Sequence, residues 1–283
     1  MLYTIPGETS SITDNFGATY TDAGLGTTAT SGGSTHQKGT PVTLIAGSSV
    51  ISDIYGIAIL FCGGNASNAI RRYFADILVD PNGGSNWNVK IPNLFVNNAS
   101  LIQGGYRYFF PLYLKSGTSI GFQHQCNLAA TALRCSIQLY GKPKNPELWP
   151  IGTIVESFGV NLGTTVGTAV VAGTSVLGSY TQIGTTTRKL WWWQWGGFGF
   201  DESSFLANSI LGDVAAGVAG NQKICCDNCI QSYTAGEQCG KDSIGFRIPY
   251  RIIPESSPVW VRAACTGTPE GTATATTTAY GMA

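Results

Sequence analysis

The sequence predicts an all-β protein made of two tandem β-sandwich domains of jelly-roll type, produced by an internal duplication. Composition, short alternating segments and an ordered repeat lead to that reading. Charged residues make up only 11% of the 283-residue chain, while hydrophobic residues reach 43%. An average soluble protein is roughly 25% charged. With 37 glycines and abundant Thr and Ser, this balance suits short strands joined by tight turns. The length accommodates two cores of ordinary size.

The strand signals come in order along the chain. Ser136-Ile137-Gln138-Leu139-Tyr140 alternates apolar and polar residues, as a half-buried strand does. Tyr108 to Lys115 and Ile120 to Gln125 are short runs separated by Ser116-Gly117-Thr118, a hairpin-like break. Gly and Thr clusters punctuate the rest, and no amphipathic helix of three turns is evident. About eight short strands per copy are expected, the number of a jelly roll.

The repeat sets the domain plan. Asp14-Asn15-Phe16-Gly17 resembles Glu156-Ser157-Phe158-Gly159, and the segment from His36 to Ile45 resembles that from Ser175 to Ile183. Ala75-Asp76-Ile77-Leu78-Val79 aligns with Gly212-Asp213-Val214-Ala215-Ala216. Ile120-Gly121-Phe122-Gln123 aligns with Val259-Trp260-Val261-Arg262, which sets Cys126 against Cys265. Leu139-Tyr140-Gly141 aligns with Ala279-Tyr280-Gly281. All matches keep the same order, which is what duplication produces. Between the copies, Lys142 to Gly152 carries Pro143, Pro146 and Pro150, a stiff connector. The expected division is an N-terminal arm over 1–13, a first sandwich over 14–141, a linker over 142–153 and a second sandwich over 154–283.

Formal net charge is zero, so no basic excess draws the chain to nucleic acid or an anionic membrane. No apolar run approaches a membrane span. Met1 to Gly7 has neither the basic nor the apolar part of a secretory signal. The expectation is therefore no nucleic-acid partner, no membrane insertion and synthesis in a cytoplasm.

Candidate chemistry is sparse. His36 and His124 are the only histidines. A nucleophile–His–carboxylate engine has no G-x-S-x-G elbow here to build on, and a surface or interface role is the expectation for both. Carboxylates are scattered. Asp76 and Asp213 are equivalent by the repeat, which points to a role in the fold such as accepting loop amide hydrogen bonds. Asp80-Pro81-Asn82-Gly83-Gly84 and Asp201-Glu202 read as turns. No catalytic site, cofactor or enzymatic activity is expected.

The sharpest local signal is Cys225-Cys226-Asp227-Asn228-Cys229 with Cys239 beyond it. Cys225, Cys226, Cys229 and Cys239 are candidates for disulfides, within the loop or to a neighbouring subunit. Four thiolates could also form a tetrahedral zinc site, but adjacent Cys225 and Cys226 on a regular strand point to opposite faces. Reduced packing thiols are the third alternative. Trp191-Trp192-Trp193-Gln194-Trp195 is the other candidate. Alternation sets Trp191, Trp193 and Trp195 on one face, either as a stacking platform for a sugar or as core and interface residues. The matching first-copy segment, Tyr55 to Phe61, is a core strand, which favours core and interface.

Taken together, Phe16-Gly17 and Phe158-Gly159 with their Gly/Thr-rich openings, the Ala75-Asp76-Ile77 and Gly212-Asp213-Val214 segments and the closing Tyr140-Gly141 and Tyr280-Gly281 resemble the tandem jelly-roll accessory virion proteins of tailed bacteriophages. The likeness runs from about residue 14 to the end. It implies a non-enzymatic structural protein of the neck or collar, the tail or the capsid surface. Its partners would be other virion proteins and further copies of itself, and its location the virion. The alternative is a receptor- or carbohydrate-binding module of the tail, with a host surface glycan as partner.

Overall fold

The computed structural model describes residues 11–15, 26–63, 71–98, 106–142, 151–174, 176–199, 208–234, 237–238, 246–247, 252–265 and 274–283. The first copy contributes β1 (Ser11–Asn15), β2 (Thr27–Thr30), β3 (Val42–Ile45), β4 (Gly56–Gly63), β5 (Arg71–Asp80), β6 (Asn88–Asn98), β7 (Tyr106–Phe110), β8 (Ser119–Cys126) and β9 (Ala132–Tyr140). One sheet runs β2-β9-β4-β7, with β1 also on β9, and the other runs β3-β8-β5-β6. The early strands thus pair with the late ones, and from β2 onward consecutive strands alternate between sheets, except that β5 and β6 pair with each other in one sheet. This is jelly-roll connectivity, two Greek keys wrapped into a sandwich. Alternation supplies the core. Ile57, Ile59 and Phe61 of β4 and Leu133, Cys135, Ile137 and Leu139 of β9 are buried against Ile77, Ile120 and Phe122 of the facing sheet.

The second copy contributes β10 (Val155–Phe158), β11 (Thr168–Val171), β12 (Gly173–Thr174), β13 (Thr181–Thr185), β14 (Trp192–Gly199), β15 (Asn208–Ala216), β16 (Lys223–Thr234), β17 (Glu237–Gln238), β18 (Phe246–Arg247), β19 (Pro258–Cys265) and β20 (Thr274–Met282). Its sheets repeat the plan. β20 lies between β10 and β11 on one side and β14 on the other, and β13, β19, β15 and β16 run in order in the second sheet.

Register makes the duplication concrete. Asp76 sits opposite Gln123 and Tyr73 opposite Cys126; Asp213 sits opposite Arg262 and Ile210 opposite Cys265. Both copies carry the same two irregularities in the following strand pair. Ala75 and Ile77 face Leu94 and Ile91, leaving Pro92-Asn93 as extra residues, and Lys90 is skipped before Val89. Gly212 and Val214 face Cys229 and Cys226, leaving Asp227-Asn228 extra, and Cys225 is skipped before Ile224. A pair of β-bulges survives in equivalent places, as designed features of a sheet do.

Two local expectations change. Tyr108 to Lys115 and Ile120 to Gln125 do not form a hairpin. β7 pairs with β4 in one sheet and β8 with β3 and β5 in the other. The Ser116-Gly117-Thr118 segment is therefore a corner between layers. Cys225 and Cys226 are not on opposite faces in the sense of one buried and one exposed. Both are buried in the same core, because the bulge at Cys225 breaks the strict alternation.

Candidate functional site

The tryptophan strand lies at the seam between the copies. Trp193 and Trp195 of β14 are buried in the second core at 3% and 0% exposure. The Trp195 Nε1–H donates to Thr277 Oγ1 at 3.0 Å. Trp192 and Gln194 face the first copy. The Trp192 ring packs edge-on to Phe109 with centroids 6.0 Å apart, and Gln194 Oε1 accepts from the Phe109 N–H at 3.1 Å. Trp191 precedes the strand and packs, half-buried, beside the first core rather than with Trp193. Its departure from alternation follows from its position outside the ladder. Trp193 and Trp195 therefore offer no ring face to solvent.

The seam's central residue is Tyr280 of β20. Its hydroxyl accepts from the Phe95 N–H at 2.7 Å and donates to the Asn93 carbonyl at 2.8 Å. Asn93 lies in the bulge of β6 and Phe95 just beyond it, opposite Phe74; β6 ends its sheet, so its outward-facing backbone groups must be satisfied from elsewhere. Asn93 holds φ at +55°, a conformation Asn tolerates better than most residues. Tyr108 packs edge-on to Tyr280 at 5.7 Å, and its hydroxyl lies against the Phe95 and Gly196 carbonyls. Tyr280 and Met282 belong to the same buried cluster as the first core, so the second copy closes the edge of the first sandwich between β6 and β7. Burial raises the Tyr280 phenol above its usual value, and it stays a neutral donor. A second strap lies on β8, where Gln125 Nε2 donates to the Leu162 carbonyl at 2.7 Å and to Thr165 Oγ1 at 2.8 Å.

The histidines take different places. His36 Nδ1 lies 2.8 Å from Thr165 Oγ1, an interface contact with the second copy. His124 is neither surface nor interface. It is fully buried beside Tyr73 and Phe122, and burial pulls its pKa down to about 4. Its place on the inner face of β8 follows from alternation with Phe122 and Cys126.

The equivalent aspartates are both buried and take different partners. Asp76 Oδ1 accepts from Lys38 Nζ at 2.8 Å and from the Asn93 N–H at 2.9 Å, and Oδ2 accepts from Gln123 Nε2 at 2.9 Å. Asp213 Oδ2 takes both Nε and Nη2 of Arg262, at 3.0 and 2.8 Å. Arg262 lies over the Tyr180 ring, 4.6 Å from its centroid. Burial pushes the Asp213 carboxyl up against the pull of that guanidinium, and Asp227 adds to the rise. With Asp213 exposed by only 2%, this carboxylate has no surface on which a substrate could sit. Asp80 closes a turn, accepting from the Asn82 and Asn86 N–H groups; Asp201-Glu202 lies outside the described residues.

Cys226 and Cys229 occupy the places that Ile91 and Leu94 fill in the first copy, so they serve as small apolar core residues. The seven described cysteines are in no disulfide, and Cys239 lies outside the described residues. Among the described residues no group of three or more His, Cys, Asp or Glu side chains could hold a metal ion. Nor is any helix long and apolar enough to cross a membrane. Sequence reasoning missed Tyr108, Asn93 and the cross-copy role of Tyr280. Only Tyr280 carried a signal, as part of the repeated Tyr-Gly close.

No family model and no curated protein matches the chain. Two solved structures align with it over almost all of both chains. The N-terminal CBM22-1-CBM22-2 tandem domain from Paenibacillus barcinonensis Xyn10C is 12% identical, with 99% of this chain and 98% of that chain covered and a TM-score of 0.28. A peptide-N(4)-(N-acetyl-β-D-glucosaminyl) asparagine amidase is 12% identical, with coverage of 99% and 94% and a TM-score of 0.29. Scores this low carry no argument about function.

Proposed function

We propose that this chain is a non-enzymatic building block of a bacteriophage particle, an accessory part of the neck or collar, the tail or the capsid surface. The observation that carries the building-block reading is the seam. The aromatic strand that could have presented rings to a ligand is used instead to join two jelly rolls through Trp192 and Gln194, with Tyr280 of β20 beside them. A unit with its halves fixed in this way transmits load and presents a constant outline to neighbours. The assignment to a phage rests on the motif resemblance. The low-charge, Gly/Thr-rich surface supports packing against further copies or other virion proteins.

The test has two parts. Mass photometry and negative-stain imaging of the purified protein should show discrete oligomers, and peptide mass spectrometry of purified particles should find the chain at stoichiometric level. A strict monomer at high concentration that binds no particle component would overturn the reading. In a glycan array, binding that survives unfolding controls and is lost on altering half-buried Trp191 would move the assignment to the carbohydrate-binding alternative.

A further inference from the structure

The loop between β2 and β3 lowers Lys38 onto the face of β5 opposite Ile77. Lys38 Nζ is placed there 2.8 Å from Asp76 Oδ1, 3.0 Å from Asn93 Oδ1 and 3.3 Å from the Phe74 carbonyl. An amine, a carboxamide and a carboxylate thus meet at one point, each from a different segment. The Asn93 carbonyl carbon is one C=O bond, about 1.2 Å, from the oxygen that Lys38 touches. The bulge fixes the electrophile, since the Asn93 N–H is itself tied to Asp76 Oδ1 at 2.9 Å. Gln123 Nε2 holds the other carboxylate oxygen at 2.9 Å. Asp76 is 4% exposed, so water competes weakly for its carboxylate.

From this juxtaposition we infer that the first jelly roll forms an intramolecular isopeptide bond between Lys38 and Asn93, with Asp76 as the proton-transfer group.

The step balances without an oxidant or co-reactant. A proton passes from the Lys38 ammonium to the Asp76 carboxylate within their ion pair and leaves a neutral amine. The Nζ lone pair attacks Asn93 Cγ, and the carbonyl π pair moves onto Oδ1. As the pair returns, the Cγ–Nδ2 bond breaks and the departing nitrogen takes a proton by way of Asp76. Nζ gives up two protons in all. One completes ammonia, and the other leaves with it as ammonium, so the carboxylate is restored. The net change is an ammonium and a carboxamide going to a secondary amide and ammonium ion. Desolvation favours the neutral amine that the attack needs, and burial does lower the Lys38 pKa. Geometry held by the fold replaces the entropy of bringing the two groups together.

The second copy provides an internal contrast. Asp213 meets Arg262 in place of a lysine, and a guanidinium is always protonated and cannot act as the nucleophile. Among the described residues, the aspartate equivalent to Asp76 therefore has no lysine to activate.

The experiment is a peptide map of the full-length purified protein. We expect a branched peptide joining the segments around Lys38 and Asn93, no tryptic cleavage after Lys38, and a chain mass lower by one ammonia, about 17 Da. Lys38→Arg keeps the cation and should show the full mass, with circular dichroism confirming that it folds. Asp76→Asn should retain the full mass or cross-link far more slowly. Wild-type protein of full mass, with Lys38 open to trypsin after denaturation, overturns the proposal and leaves a plain buried ion pair. Cross-linking at an undiminished rate in Asp76→Asn overturns the role given to Asp76.

Discussion

Removing one oxygen atom tests how the two jelly rolls are joined. Tyr280→Phe keeps the ring between Tyr108 and Phe110 but deletes the hydroxyl that bridges the Phe95 N–H and the Asn93 carbonyl at 2.7 and 2.8 Å. Two hydrogen bonds are lost at about 1 kcal/mol each, and a buried backbone donor loses its partner at about 1–3 kcal/mol. The expected loss is about 3–5 kcal/mol, read as a lowered urea midpoint with fluorescence and far-UV ellipticity still coincident. The equivalent first-copy residue provides the control. Tyr140 is half-buried and its hydroxyl donates to Gln138 Oε1 at 2.9 Å, so Tyr140→Phe should change stability by no more than about 0.5 kcal/mol. Equal effects from the two variants, or a Tyr280→Phe effect below about 0.5 kcal/mol, would refute the idea that the bulge depends on this hydroxyl.

Three further outcomes follow. His124 has its pKa depressed from an ordinary 6.5 to about 4. Its contribution is full above pH 6.5 and is lost as pH falls toward 4, by about 3 kcal/mol; His124→Gln should flatten that acid slope, and an unchanged slope in urea melts at pH 7 and 5 would count against it. Trp195→Ala should cost about 3–5 kcal/mol in the same melts, because the ring is fully buried, and a stable variant with altered sugar binding would contradict its placement. In native protein, half-buried Cys62 should label with a thiol reagent faster than Cys126, Cys135, Cys225, Cys226, Cys229 and Cys265, which are buried; site-resolved mass spectrometry reads the order, and early labelling of Cys135 would speak against its burial.

Much of the architecture was legible because the copies repeat their polar landmarks. The alignment of Asp76 with Asp213 and of Gln123 with Arg262 matches the equivalent places these residues take in the two copies, while the strand pairing itself was not legible. The hairpin between Tyr108 and Gln125 was misread because neighbours in sequence cross between layers in a jelly roll, and local periodicity is blind to that. Cys225 and Cys226 misled for a different reason, since a bulge suspends alternation without leaving a composition mark. The Lys38, Asp76 and Asn93 cluster was invisible. Its members lie on three segments, and only the folded loop brings the amine down. Trp193 and Trp195, read as core or interface from the first-copy equivalent, lie in the second core, and Trp192 is the residue of the strand that packs on the other copy.

The strand order also dictates how the chain must fold in time. β2 finds its partner β9 through Thr27 and Cys135, and β11 finds β20 through Thr168 and Thr277, so each sheet is completed by pairing across nearly a whole copy. Such non-local topologies fold on the order of milliseconds to seconds. The edge beside β6 and β7 waits longer still, because the tyrosine that closes it belongs to the last strand of the other copy. Until then Phe95, Tyr108 and Phe110 line an open aromatic cleft with unsatisfied backbone next to it. The half-formed chain is thus sticky at the place where the finished one is most tightly closed, and its yield at high protein concentration is set by a race between closure and aggregation.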